Sequence, residues 1–167
     1  MTELGRLERI NVRDAWAHEA HDFTPWLANH LDELADVMGI KIELEGQEVA
    51  VETFSADILA RNGIDDSLVL IENQLEQTDQ THLGQMLTYI AGLNARTVVW
   101  VAPSFRLPHL AAIRWLNEYT ANPFTFFAIR VSKLPVAVVL RVVHLPVFLV
   151  RIDEGLQHSM RRLLNWR

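Results

Sequence analysis

The sequence predicts an α/β fold, a sandwich in which a central mixed sheet is flanked by helices. Stretches with apolar residues at helical spacing alternate along the chain with short stretches of strand character. Two of the strands are continuous apolar runs, as expected of strands that are buried on both faces. The chain has 167 residues, 50% of them hydrophobic, and no internal repeat or low-complexity linker, so we expect one domain around a substantial core.

Two helical stretches are predicted before the first strand. The first opens at Asn11 and runs to about His21. The second begins at Thr24, because Thr is a good N-cap and the proline that follows it is favoured in the first helical turn. Apolar residues recur at helical spacing up to Met38, and Gly39 stands where a helix C-terminus favours glycine.

A β-meander is predicted next. Residues 40–45 alternate between apolar and polar, which is the strand period, and Gly46 is expected to end that strand. Residues 48–59 are predicted as a second strand, with a turn at residues 62–66. Residues 68–71 form a continuous apolar run and are predicted as a third, buried strand.

The next part of the chain alternates helices and strands. Helices are predicted over residues 79–94 and 108–120, each with apolar side chains on one face. Strands are predicted over residues 97–102 and 124–131. The predicted order is therefore helix, meander, helix, strand, helix, strand, which is the order of a sandwich with a mixed sheet.

Residues 134–152 form a valine-rich apolar run that contains two prolines, Arg141 and His144. A transmembrane helix tolerates a central arginine poorly, and valine and proline favour one or two strands at a sheet edge or a subunit contact. We therefore expect no membrane span. Residues 157–167 are predicted as a short basic helix.

The composition excludes several classes of function. The absence of cysteine rules out thiol nucleophiles, CxxC redox pairs and cysteine-type structural zinc sites, and it fits a reducing cytoplasm. The first ten residues contain no apolar run, so we expect no secretory signal.

The charge is unevenly distributed. The formal net charge is −6, which by itself argues against a nucleic-acid partner, because duplex affinity depends on neutralised phosphates. Residues 1–129 carry 8 Lys and Arg against 19 Asp and Glu, a net of −11, whereas residues 130–167 carry 7 against 2, a net of +5. The simplest interpretation is an acidic solvated face and a basic C-terminal region, but a global charge can hide a local basic field.

Three polar residues stand at unusual places in the predicted strands. Asp57 lies within an otherwise apolar strand, and Glu72 and Gln74 follow the buried run of the third strand. Residues two apart on a strand share a face, so Glu72 and Gln74 point the same way, and Asp57 reaches the same place if the two strands pair. Each residue alone is well explained as an exposed or hydrogen-bonded side chain. Together they favour a site for a hard cation such as Mg²⁺.

Other catalytic patterns fit poorly. His18 and His21 are three residues apart, whereas the zinc-protease helix needs them four apart with a glutamate between. The pair of His21 and Asp22 suggests a metal phosphohydrolase, but no second histidine and aspartate have an obvious helical place. The chain contains neither a glycine-rich phosphate loop nor a G-x-S-x-G elbow.

Three phrases of the sequence carry a family resemblance: WAHEAHDFTPWL at residues 16–27, ADILAR at residues 56–61 and IENQLE at residues 71–76. They resemble the PD-(D/E)XK nuclease superfamily, the restriction-endonuclease-like fold, and in particular a bacterial branch of uncharacterised proteins. The resemblance covers about residues 4–131, and the order of elements in that superfamily agrees with the order predicted above. After about Val131 the pattern of the family is no longer visible.

The resemblance implies a metal site. Asp57 and Glu72 match the metal-binding carboxylates, and Glu19 matches an additional acidic residue that many members use. These three residues would hold Mg²⁺ or Mn²⁺. Gln74 stands at the position of the motif lysine, which departs from the family pattern because an amide can donate a hydrogen bond but brings no positive charge.

The resemblance also implies contacts with a substrate. Gln85 and Tyr89 match the Q-x-x-x-Y helix of RecB-like members, and their spacing puts both on one helix face. Arg61, just past Asp57, is interpreted either as a phosphate contact or as a solvated strand end.

Our leading hypothesis is a cytoplasmic Mg²⁺-dependent nuclease that acts on DNA, in repair or in defence against foreign DNA. The alternative is a catalytically inactive nuclease-fold module that binds DNA or a protein partner through its basic C-terminal region. Residues 1–131 would form the nuclease-like core. Residues 132–167 would be either an altered C-terminus of the same domain or a hairpin that makes a homodimer contact.

Overall fold

In the computed structural model, which describes residues 9–51, 53–121, 123–134 and 137–144, six strands form one sheet in chain order. They are β1 (Ile42–Val51), β2 (Phe54–Asn62), β3 (Leu68–Asn73), β4 (Thr97–Ala102), β5 (Thr125–Leu134) and β6 (Ala137–His144). β1, β2 and β3 form an antiparallel meander, β3, β4 and β5 are parallel, and β6 returns antiparallel to β5. The predicted mixed sheet is confirmed.

Helices cover both faces of this sheet. They are α1 (Val12–Ala15), a π-helical turn (Glu19–Phe23) that runs into α2 (Thr24–Ala28), α3 (Leu31–Met38), α4 (Gln80–Leu93) and α5 (Leu107–Tyr119). The helices before β1 share one apolar cluster with alternate strand residues such as Ile71 and Val99. α4 and α5 share a second cluster with the residues between, such as Leu70 and Trp100. The predicted α/β sandwich is thus confirmed.

The helical region before the sheet is more divided than predicted. The stretch expected from Asn11 to His21 is interrupted after Ala15, and the helix expected from Thr24 to Met38 breaks at residues 29–30. His30 has φ −124° and ψ 33°, and its ring Nδ1 lies 2.6 Å from the Trp26 carbonyl oxygen. That oxygen would otherwise accept the helical hydrogen bond from the His30 N–H, so the side chain competes with the helix.

The prediction that Gly46 ends the first strand is wrong. β1 continues through Gly46 with a bulge, because the register shifts between Leu44 and Gly46 while the ladder to β2 is kept. The strand predicted over residues 48–59 therefore spans the end of β1, the hairpin turn and most of β2. The hairpin closes where Val51 pairs with Phe54.

The later elements agree closely with the prediction. β4 has the predicted bounds, and α4 is capped by Asp79 and ends before Asn94, which adopts the left-handed conformation with φ 54°. β5 runs three residues past the predicted end at Val131, because its pairing with β6 continues to Leu134.

The C-terminal region is described only in part. β6 falls within the valine-rich run and joins the sheet beside β5, in agreement with the predicted strand character. Residues 145–152 and the helix predicted over residues 157–167 lie outside the described residues. Within the described part of the chain, no helix is long and apolar enough to span a membrane.

Candidate active site

Two carboxylates lie side by side where β2 and β3 meet. The register pairs Ile58 with Ile71, which places Asp57 beside Glu72 on the face that α4 covers. Glu72 Oε1 accepts a hydrogen bond from the Asp57 backbone N–H at 3.3 Å, and Asp57 Oδ2 accepts one from the Asn73 backbone N–H at 2.8 Å. Each carboxylate therefore accepts a hydrogen bond from a backbone N–H on the strand that carries the other carboxylate.

The environment of this pair disfavours negative charge. The pKa of Glu72 is raised to about 9, first by burial and then by the charge of the neighbouring Asp57 carboxylate. Burial also raises the pKa of Asp57 to about 7, against the lowering effect of the hydrogen bond from Asn73. At neutral pH the pair therefore retains a proton unless a cation offsets its charge.

A third carboxylate, Glu48, approaches the pair from β1. The register pairs Gln47 with Ile58 and Val49 with Ala56, so Glu48 lies across from Asp57. Its backbone is in the left-handed region, with φ 48°, and its Oε2 accepts a hydrogen bond from the Ser55 hydroxyl at 3.2 Å. The charge of Glu48 contributes to the raised pKa of both Asp57 and Glu72. Finding this residue from the sequence would have required knowing that β1 continues through Gly46.

Gln74, at the position of the motif lysine, is fully engaged within the protein. It is buried, and its Oε1 accepts a hydrogen bond from the Trp100 indole N–H at 2.9 Å. Its amide nitrogen donates to the Gln77 carbonyl oxygen at 3.1 Å and to Asp79 Oδ2 at 3.3 Å. A primary amide has two N–H donors, so neither is left to orient a water molecule or a phosphate.

Asp79 and His82 complete a polar cluster at the start of α4. Asp79 Oδ1 accepts from the His82 backbone N–H at 2.9 Å, which caps the helix, and Asp79 Oδ2 lies 2.8 Å from His82 Nδ1. Burial alone would raise the pKa of Asp79, but the hydrogen bonds from His82 outweigh it and the pKa is lowered. The spacing Asp-x-x-His at a predicted helix start was the available sequence signal for this pair.

Glu19 is close to the site but does not join the carboxylate pair. It begins the π-helical turn, and its Oε2 accepts a hydrogen bond from the backbone N–H of Leu75 at 2.7 Å. Leu75 is buried directly after Gln74, so Glu19 satisfies the backbone donor of a buried residue. The Glu19 charge nonetheless contributes to the raised pKa of Asp57 and Glu72.

The residues expected to contact a substrate fall into two groups. Tyr89 is buried on α4 facing the carboxylates; burial raises its pKa, and the charges of Glu72 and Asp57 raise it further. Gln85 lies one turn earlier on α4 and is half-buried. Arg61 is separate from them: its guanidinium lies 2.6 Å from Glu45 Oε1 and 3.4 Å from Asp66 Oδ2. It is four residues along β2 from Asp57, or about 13 Å at the strand rise.

The pair of Asp57 and Glu72 fits a hard divalent cation, but the predicted set of three ligands does not converge. Within the described residues, no group of three His, Asp or Glu side chains lies close enough to hold a metal ion. Glu19 stands apart because it is committed to the Leu75 N–H. Mg²⁺ is commonly held by one or two carboxylates together with water and substrate phosphates, so the half-buried Asp57 and the buried Glu72, both with raised pKa values, suffice.

Comparison with known proteins gives only a partial likeness of fold. No family model matches the chain, and no curated protein matches it. A repair endonuclease from Pyrococcus abyssi is 21% identical over 56% of this chain and 42% of its own, with a TM-score of 0.46. A complex of EndoMS with double-stranded DNA is 21% identical over 62% of this chain and 43% of its own, with a TM-score of 0.47. The chain spans less than half the length of either neighbour, and likenesses at this level carry no argument about activity.

Proposed function

We propose that this protein is a divalent-metal-dependent nuclease of the PD-(D/E)XK type, from a bacterial branch of that superfamily, and that it hydrolyses DNA phosphodiester bonds. The observation that carries the proposal is the pair formed by the half-buried Asp57 and the buried Glu72, placed side by side by the pairing of β2 and β3. Burial of two adjacent acids is costly unless they bind a cation or a proton. The three phrases that resemble the superfamily supply the identity of the reaction.

Each residue of the site has a role in this proposal. Asp57 and Glu72 hold Mg²⁺ or Mn²⁺, and the Asn73 N–H fixes the orientation of the Asp57 carboxylate. When bound, the cation supplies polarisation of the phosphodiester and a lower pKa for a water nucleophile. Glu19 positions the backbone after β3 through the Leu75 N–H. Gln85 and Tyr89 line the α4 side of the site.

The test is a matched pair of substitutions. Asp57→Asn keeps the shape of the side chain and an acceptor for the Asn73 N–H but removes the charge, so it should abolish Mg²⁺-dependent cleavage of a DNA substrate. Asp66→Asn removes an exposed carboxylate in the loop between β2 and β3 and should leave the cleavage rate unchanged. Cleavage by folded Asp57→Asn protein at the wild-type rate would refute the nuclease assignment.

A second function is favoured by one specific observation. Both N–H donors of Gln74 are engaged by Gln77 and Asp79, so the residue that replaces the motif lysine has no donor left for catalysis. The second candidate is therefore a nuclease-fold module that binds DNA or a protein partner without cleaving it.

Two measurements separate the candidates. Calorimetric titration with Mn²⁺ should show binding to the wild-type protein and none to Asp57→Asn if the carboxylate pair is a metal site. Gln74→Lys restores the charge that the family uses, and a nuclease should gain cleavage rate from it. Absence of Mn²⁺ binding at millimolar concentration, with no cleavage by either form, would select the binding module.

The proposal also includes a cytoplasmic location and a homodimer. A reducing cytoplasm fits a chain without cysteine. A homodimer contact through the valine-rich region fits the position of β6, which is the last strand of the described sheet and presents one edge without a partner strand in the described residues. The oligomeric state can be measured by sedimentation.

A further inference from the structure

Two arginines lie opposite each other on the last two strands of the described sheet. The register of β5 and β6 pairs Arg130 with Arg141. Their neighbours Ile129, Val131 and Leu140 all pack into the core cluster on the side of α1, α2 and α3. Because side chains alternate along a strand, both arginines lie on the opposite face, which α4 and α5 cover.

The charges of these two arginines are not neutralised within the described protein. Like charges directly opposite each other destabilise a pair of strands. Among the described residues, neither Arg130 nor Arg141 takes part in an ion pair, and the Arg130 Nε is buried without a hydrogen-bond partner. A buried donor on a charged group that lacks an acceptor is costly.

The arginine pair lies on the same face of the sheet as the carboxylate pair. Glu72 pairs with Trp100 on β4, and Trp100 pairs with Ala128 on β5. Arg130 is two residues further along β5 and on the same face as Ala128. With strands about 4.8 Å apart and a rise of about 3.3 Å per residue, the backbones of Arg130 and Glu72 are about 12 Å apart. That distance corresponds to three or four nucleotides at an axial rise of about 3.4 Å each.

We propose that Arg130 and Arg141 form a site for the phosphodiester backbone of a nucleic acid. Two guanidinium groups can bind phosphate oxygens through paired hydrogen bonds, and the phosphate charge offsets the repulsion between the two arginines. The identification of the anion as a nucleic-acid phosphate rests on the proposed function. The inference that an anion binds here rests on the arginine pair alone. Arg130 and Arg141 thereby take the role of phosphate contact that the sequence suggested for Arg61. The charge of Arg61 is already paired with Glu45 and Asp66.

The test measures DNA binding rather than cleavage. Anisotropy of a labelled DNA duplex, in EDTA so that no cleavage occurs, gives the affinity over a series of KCl concentrations. Arg141→Gln, at an exposed position, should weaken binding and reduce the slope of log affinity against log salt by about 1, and Arg130→Gln together with it by about 2. Lys41→Gln removes an exposed positive charge just before β1, at the opposite edge of the sheet, and is the control that should leave both quantities unchanged.

The outcomes separate this inference from the proposed function. Wild-type slopes in folded Arg141→Gln protein and in the folded double variant Arg130→Gln/Arg141→Gln, with cleavage intact, would overturn the arginine site and leave the nuclease proposal standing. A small-anion site would be shown instead if inorganic phosphate binds the wild-type protein as tightly as the DNA duplex does in a calorimetric titration and no longer binds to Arg141→Gln protein. A wild-type protein that neither binds nor cleaves DNA would overturn both proposals.

Discussion

Asp57 and Glu72 are neighbours across two strands, and each carboxylate is held by a backbone N–H beside the other: Glu72 Oε1 by Asp57 N and Asp57 Oδ2 by Asn73 N. These two hydrogen bonds fix the buried Glu72 beside the half-buried Asp57, where both acids cannot be charged without compensation. The stability of the protein should therefore depend both on pH and on divalent metal, and both effects should act through these two carboxylates.

The metal-free protein should lose stability as the pH rises. Glu72 has its pKa raised from 4.5 to about 9, so its stabilising contribution is complete below pH 4.5 and is lost as the pH passes through about 9. Urea unfolding in EDTA should give a lower free energy of unfolding at about pH 8.5 than at about pH 5.

Glu72→Gln is the control for this titration, because the amide has the same shape and cannot ionise. It should be more stable than the wild type at about pH 8.5, and the difference should shrink at about pH 5. Mg²⁺ should raise the stability of the wild type at the higher pH and not that of Glu72→Gln. An equal response of both proteins to pH would show that Glu72 is not the responsible group.

The hydrogen bond between Gln74 and the Trp100 indole should be a measurable part of the core. Gln74→Met keeps the volume but leaves the fully buried Trp100 N–H without its acceptor, which should cost about 1–3 kcal/mol. Trp100→Phe removes the donor, so the double substitution should cost less than the sum of the single ones. A coupling energy near zero in this double-mutant cycle would contradict the interaction, and Gln85→Met at a half-buried position provides the control.

The parts of the fold that follow from local patterns were predictable, and the parts that depend on pairing were not. The apolar runs of β3 and β4 and the caps of α4 are local, and the prediction placed them within a few residues. The bulge at Gly46 depends on the ladder to β2, which composition and periodicity do not encode. The division of the helix at His30 is a local exception: it accompanies the contact of the His30 ring with the Trp26 carbonyl oxygen four residues earlier, which the apolar period does not report.

The same distinction holds for the site. Asp57 and Glu72 could be brought together from the sequence because an antiparallel meander requires β2 to pair with β3. Glu48 could not, because its place depends on the register of β1. The engagement of Gln74 could not be predicted either, because Trp100 reaches it from a strand 26 residues away. Arg61 was a candidate phosphate contact because it lies just past Asp57 in the sequence. Its ion pairs with Glu45 and Asp66 arise from the tertiary fold and could not be predicted.

Glu48 should be replaceable by residues that tolerate its backbone conformation. Its φ of 48° is costly for a β-branched side chain, whereas asparagine adopts this region readily. Glu48→Asn and Glu48→Val both remove the charge, so the difference between them isolates the backbone: Val should be less stable by about 1–2 kcal/mol. Thermal unfolding measures this difference, and equal stabilities would contradict the left-handed conformation.

Glu19 should act through structure rather than as a direct metal ligand. Its Oε2 accepts from the buried Leu75 N–H at 2.7 Å, so Glu19→Ala should destabilise the protein by about 1–3 kcal/mol. Glu19→Gln retains an oxygen acceptor at the same position and should keep most of the stability. If Asp57 and Glu72 alone provide the carboxylate ligands, Glu19→Gln should also keep the Mn²⁺ affinity within a few fold in a calorimetric titration, whereas Asp57→Asn loses it. A large loss of Mn²⁺ affinity in Glu19→Gln, with stability unchanged, would instead place Glu19 among the ligands, as the family resemblance predicts.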